Sequence, residues 1–223
     1  TAEEPSTLYF EEFLKHGYNA WPDSYQNRFP DLKTWSGVRG LKKSLCQLAG
    51  APDDSRGLLA SRSLSLVQLA SRCMFQRCRN VLTTDLSWPN YQDAVSRQAL
   101  ASGGQITTLA LRDAIFHKKW TADDVASFLA RAYVENHCDG LFLPAVDHLG
   151  IRVPIGTIVE RIRQASQLQF VLVDAAQAFC HVPIDDCLAV ADFVVAGCHK
   201  WMRAGQPMGI GLYGKHSTQR LMN

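Results

Sequence analysis

Two short segments of this 223-residue chain carry groups that could do chemistry. One is Phe170-Val-Leu-Val, running straight into Asp174-Ala-Ala-Gln177; the other is Phe193-Val-Val-Ala, running into Gly197-Cys198-His199-Lys200. Each is an apolar run of strand type that ends on polar residues, and in open parallel sheets ligands bind beyond the carboxyl ends of the strands. A lysine at such an end is an amine that can condense with an aldehyde, once desolvation or nearby charge favours its neutral form over an ammonium of pKa about 10.4. An aspartate there can keep a heterocyclic nitrogen protonated. Alone, the lysine reads as a surface residue and the aspartate as a helix cap. Together, with Gln177 and His199 in register, they read as a site.

A sheet must hold these two ends side by side, and the rest of the chain is patterned to make one. Val38 to Leu48 is expected as a helix with Leu41, Leu45 and Leu48 on one face, and Ser63 to Phe75 as a second helix. Val81 to Thr84 reads as a strand, Trp88-Pro89-Asn90 as a loop, and Ile106 to Leu111 as a strand. Thr121 is a plausible N-cap, with Asp123 and Asp124 in the first turn that follows. Leu141 to Val146 is expected as a strand, Ile155 to Ala165 as a helix, and Ile210 to Tyr213 as a last short strand. Strands separated by helices predict an α/β fold, a three-layer αβα sandwich with a mostly parallel central sheet. Residues 1–36, rich in aromatics such as Tyr9, Phe13, Trp21 and Phe29, are expected as an N-terminal arm, and residues 37–223 as one large domain.

Composition narrows the classes. A net charge of +2 from 23 basic and 21 acidic residues leaves no electrostatic footprint for nucleic acid or an anionic membrane. No apolar run approaches the roughly 20 residues of a membrane-spanning helix, and the expected residence is cytoplasmic. Seven cysteines without a CxxC pair make neither a disulfide framework nor a zinc site, and no metal is expected. The strand–helix turns contain no GxGxxG or GxxxxGK[ST] motif, which argues against a plain nucleotide-binding domain.

Residues 173–215, VDAAQAFCHVPIDDCLAVADFVVAGCHKWMRAGQPMGIGLYGK, resemble the class V aminotransferases and cysteine desulfurases, fold type I enzymes that use pyridoxal 5′-phosphate (PLP). The shared pattern is an acid, two small residues, Gln or His, an intervening helix, an Asp-Phe strand, then His-Lys and a Gly-rich turn. The resemblance implies that Lys200 holds PLP as a Schiff base and moves protons at the substrate's alpha carbon. It implies that Asp174 pairs with the ring nitrogen, Gln177 with the ring hydroxyl and His199 with the phosphate. Gly197 stands where the family usually has Ser.

Upstream, Arg62-Ser63-Leu64 occupies the place of a Gly-Thr-Thr-like phosphate turn, with Arg62 at the usual Gly position. The alternative for Ser63 is an ordinary N-cap of a core helix. Trp88 is the candidate to stack on the cofactor ring, or else packs the domain surface. Asp147 stands near the family's cofactor-facing Asn, and its neighbour His148 reads equally as a solvent-facing loop residue.

The implied function is an enzyme acting on an amino acid or amine, by transamination or by C–S or β-elimination, with epimerisation third. The implied assembly is a homodimer around small-molecule sites, with no nucleic acid or membrane partner. In the family a smaller C-terminal domain carries the arginine that grips the substrate and, in desulfurases, a catalytic cysteine, so the substrate is not legible here. The alternative is a PLP-fold domain serving as a non-catalytic binding or assembly module; Gly197, Arg62 and Asp147 favour it, and an intact Lys200, Asp174 and Gln177 oppose it.

Overall fold

In the computed structural model, the described residues are Asn27, 36–53, 55–204 and 207–214. The expected arm, residues 1–36, lies outside them apart from Asn27 and Ser36. The chain forms two compact units, residues 1–45 and 46–223. Helix α1 (Gly37–Leu48) forms where its leucine spacing predicts.

The second unit is built on one seven-stranded sheet: β1 (Arg56–Ala60), β2 (Asn80–Thr84), β3 (Gln105–Leu109), β4 (Gly140–Pro144), β5 (Phe170–Asp174), β6 (Phe193–Gly197) and β7 (Gly209–Tyr213). Their order across the sheet is β1-β7-β6-β5-β4-β2-β3. The run from β6 to β3 is parallel, and β7 is antiparallel to both its neighbours. The mostly parallel sheet expected from the sequence is the one observed.

The helices are α2 (Ser63–Phe75), α3 (Pro89–Ala101), α4 (Arg112–Phe116), α5 (Ala122–Glu135), α6 (Ile155–Ala165) and α7 (Asp185–Val190). Helices α2 and α3 pack together over one sheet face, where Val67, Met74, Tyr91 and Val95 meet Phe142, Phe170, Leu172 and Phe193 in a single core. Alternate residues of the same strands, Leu141, Leu143, Val171 and Val173, point the other way and are equally buried. Side chains alternate faces along a strand, so this double burial requires cover on both sides and explains the unbroken apolar runs. Helix α5 begins in a full capping box: Thr121 Oγ1 accepts from the Asp124 amide at 3.2 Å, and Asp124 Oδ2 accepts from the Thr121 amide at 2.9 Å.

The structure corrects several boundaries. Trp88-Pro89-Asn90 is not a loop: Trp88 takes the extended N-cap conformation and Pro89 opens α3 at its first position, where a missing N–H costs nothing. The strand expected to reach Leu111 ends at Leu109, because the Asp85 carboxylate accepts from the Leu111 amide at 2.8 Å and starts α4. The strand expected to reach Val146 ends at Pro144, after which Val146 forms an isolated bridge with Arg152. Edge strand β1 was not anticipated.

Candidate active site at the strand ends

Asp174 is the last residue of β5 and pairs in register with Val195 of β6, two residues before Gly197. The sheet therefore brings the two chemical segments side by side. Two cavities open at these ends and share three residues, Trp88, Asp174 and Lys200. The wider, about 390 Å3, is also lined by Arg62, Ser63, Leu64, Tyr91 and His199. The other is a slit with room for only about 10 Å3, lined also by Gln177, Asp147 and His148. Every residue that the sequence offers for holding the cofactor lines one cavity or the other, and Gly197, where the resemblance implies a serine, lines neither.

Asp174 is 5% exposed, and its Oδ1 accepts from the Ala176 amide at 2.8 Å. Burial pushes its carboxyl up to about 6, against the pull of that amide and of the Lys200 charge. Lys200 is half-buried and sits on a pinched loop after β6. Cys198 makes the pinch: its amide donates to the Met208 carbonyl at 3.0 Å, its Sγ accepts from the Met208 amide at 3.1 Å, and its carbonyl accepts from the Ala204 amide at 3.0 Å. His199 is exposed on the wider cavity. A Cβ at Gly197 would stand 3.0 Å from the His199 ring, so the imidazole lies over the place where the family carries a serine.

Arg62, not Ser63, takes the N-cap position of α2, in extended conformation and without a side-chain cap bond, so Ser63 is no ordinary N-cap. Ser63 opens the helix, and its Oγ accepts from the Tyr91 hydroxyl at 2.5 Å. The strand β7 backbone passes directly beneath: a Cβ at Gly209 would lie 2.6 Å from the Arg62 carbonyl and the Ser63 nitrogen. Trp88 is 44% exposed and meets His148 edge-on, with ring centroids 5.6 Å apart. Asp147 is 2% exposed; its Oδ1 accepts from the Leu149 and Ile151 amides, each at 2.8 Å, while its Oδ2 has no partner.

Tyr91 is the site residue that sequence reasoning missed. Burial, and then the Asp174 charge, push its phenol up to about 12, so it stays a donor. Pro89 was the available signal: a helix opened there carries Tyr91 on its first turn, against the core. Wider hollows lie elsewhere, one of about 550 Å3 lined by residues of α6 and α7 and one of about 450 Å3 beside the Phe179–Asp185 turn, and neither holds a lysine–acid pair. Among the described residues, no group of three or more His, Cys, Asp or Glu side chains could hold a metal ion, and no helix is long and apolar enough to cross a membrane.

Residues 125–223 match the model of aminotransferase class V. Over that span the chain resembles the class V aminotransferases. A curated relative, a probable cysteine desulfurase of Pasteurella multocida (strain Pm70), is 42% identical over 74 residues, which are 32% of this chain and 17% of that protein. Among solved structures, ureidoglycine–glyoxylate aminotransferase of Bacillus subtilis superposes with a TM-score of 0.65 at 12% identity, covering 87% of this chain and 47% of its own. The cysteine desulfurase of Thermococcus onnurineus NA1 gives 0.63 at 14% identity, covering 81% and 43%. These likenesses show the PLP-dependent transferase fold, and the chain spans somewhat less than half the length of the solved proteins it matches. The class V span contains Asp147, Asp174, Gln177, Gly197, His199 and Lys200; Arg62, Ser63, Leu64, Trp88 and Tyr91 lie before it.

Proposed function

We propose that this chain is the PLP-binding large domain of a class V enzyme that acts on an amino acid or amine, by transamination or by C–S or β-elimination. The observation that carries the reading is that Lys200 and the buried acid Asp174 face the same two cavities. The residues present fit the cofactor. A carboxyl pushed up to about 6 by burial is relieved by a cationic ring nitrogen beside it. The wider cavity suits a phosphate, since Arg62, His199 and the two residues that open α2, Ser63 and Leu64, border it. Its volume lies within the range of about 300–1,000 Å3 common for small-molecule sites.

When bound, PLP supplies an aldehyde for the substrate's amine and a protonated ring that draws electrons from the alpha carbon. Every other part belongs to the chain. Lys200 would hold the cofactor through Nζ, and its amine would carry a proton to or from the substrate's alpha carbon. Asp174 keeps the ring nitrogen protonated. Gln177 hydrogen-bonds at the ring hydroxyl, Trp88 covers the ring, and Tyr91 holds the Ser63 hydroxyl by donating to it, leaving the serine proton free for a phosphate oxygen. Transamination and elimination share these groups and differ in where the proton returns and whether a leaving group departs.

The assembly proposed is a cytoplasmic homodimer. Trp88, Leu149 and Trp201, all about half-exposed and close in sequence to site residues, offer apolar surface for a second copy. Seven cysteines, an odd number without a CxxC pair, suit a reducing compartment. The full-length protein loaded with PLP is to be incubated with L-alanine or L-aspartate plus glyoxylate, and separately with L-cysteine. A 2-oxo acid formed in the first mixture identifies transamination; sulfide or sulfane sulfur in the second identifies C–S cleavage. Loaded protein that forms neither, and that binds these amino acids without turnover, contradicts the enzymatic reading and supports a binding module.

A further inference from the structure

Trp88, Asp174 and Lys200 border both cavities, so they mark the axis along which a bound ring would lie, from its nitrogen at Asp174 to its aldehyde carbon at Lys200. The two cavities then serve the two edges of the ring. Arg62, Ser63 and His199 border one, which is the edge for the anionic arm. Gln177 and Asp147 border the other, which is the edge that carries the ring hydroxyl, next to the aldehyde carbon.

On that second edge stands a buried polar atom without a partner. Two backbone amides hold Asp147 Oδ1, each at 2.8 Å, and so fix the plane and the orientation of the carboxylate. Its Oδ2 is buried and unpaired, and the residue is 2% exposed. A buried oxygen without a donor is costly, most of all a charged one, and Asp147, which lines the slit, holds such an oxygen ready for a donor from the ligand. A carboxylate oxygen only accepts, whereas an amide in its place would also present a donor. We propose that Asp147 Oδ2 accepts the hydrogen of the cofactor's ring hydroxyl and holds that hydroxyl un-ionised. This rests on the PLP reading above and adds to it the hydrogen-bond polarity of one ring edge.

The substitution Asp147→Asn tests the polarity cleanly. The Leu149 and Ile151 amides require an acceptor, so they keep the single amide oxygen at the Oδ1 place and leave the NH2 group where Oδ2 was. An acceptor becomes a donor with no change of shape. The probe is pyridoxine phosphate, an alcohol that cannot bond to Lys200, and the readout is the absorbance of its ring hydroxyl as it ionises with pH in the complex. The other titratable groups lining the slit, Asp174, His148 and Lys200, are common to both proteins, and Arg62, His199 and Tyr91 face the ring from the wider cavity.

A carboxylate beside the hydroxyl disfavours its ionised form and a donor favours it. The bound hydroxyl is therefore expected to ionise at a pH at least about one unit higher in the wild type than in Asp147→Asn. Equal ionisation in the two proteins, or the reverse order, overturns the proposal. Should Asp147→Asn fail to fold, wild type and Gln177→Ala decide with a second probe, 3-deoxypyridoxine phosphate, which lacks the hydroxyl. About tenfold weaker binding of that probe than of pyridoxine phosphate in both proteins upholds Asp147 as the partner; equal binding in the wild type, or a preference lost with Gln177, overturns it. A wild-type protein that binds neither probe overturns the PLP reading and this inference with it.

Discussion

Asp174 works against the fold, a cost for which the proposed function supplies a reason. Its folded pKa of about 6 lies above the ordinary carboxylate value of 3.8, with burial as the first cause. The folded state therefore binds the proton more tightly than the unfolded chain does. The resulting stabilisation is complete below about pH 4 and is lost as pH rises through about 6, an effect of about 3 kcal/mol at most. Urea unfolding of the ligand-free protein from pH 4 to pH 7 is expected to show this decline, and Asp174→Asn to lack it. A wild-type profile no steeper than that of the variant would contradict the burial. Tyr91 acts the other way, since its hydroxyl both satisfies Ser63 and borders the wider cavity. Tyr91→Phe is expected to cost about 1 kcal/mol of stability and to weaken PLP binding roughly fivefold, read by denaturant titration and by absorbance titration.

At the scale of elements, the site depends on β7 running close under the first turn of α2. Gly209→Ala places a methyl 2.6 Å from Arg62 and Ser63 backbone atoms, which cannot swing aside as a side chain would. The expected result is a loss of about 1–3 kcal/mol with weaker phosphate binding, measured as a lower denaturation midpoint and a higher Kd for PLP. Thr121→Ala removes half of the capping box of α5 and is expected to cost about 1 kcal/mol without altering PLP affinity. The two variants together separate damage to the site from damage to the scaffold. Elements with strong local signals were legible in the sequence: α2 and α6 match their expected bounds because apolar spacing and flanking breakers agree. Helix α3 was not, because Trp88-Pro89-Asn90 was read as turn chemistry when Pro89 was a helix opener. Edge strand β1 was not either, since its pairing to β7 comes from residues more than a hundred positions away.

For the molecule as a whole, the parallel order of β6, β5, β4 and β2 does what strand-end residues alone cannot, placing an acid and a lysine from separate segments around common cavities. Asp174, Gln177 and Lys200 were legible as candidates because they stand at the end of an apolar strand or three residues past one. The edge occupied by Asp147 was legible only as a position; its unpaired oxygen emerged from the three-dimensional turn that consumes the other one. The proposed homodimer is checked by sedimentation of the full-length protein, where Trp201→Ser is expected to weaken association if that exposed ring lies in the interface.

The central claim is that Lys200 anchors PLP, and the most direct measurement is borohydride reduction of the full-length protein after incubation with PLP, followed by peptide mapping. The account predicts a visible absorption band lost on reduction, with a pyridoxyl group recovered covalently on Lys200 and none in Lys200→Ala. A wild-type protein that stays colourless and retains no PLP, or one labelled at another lysine, would contradict it.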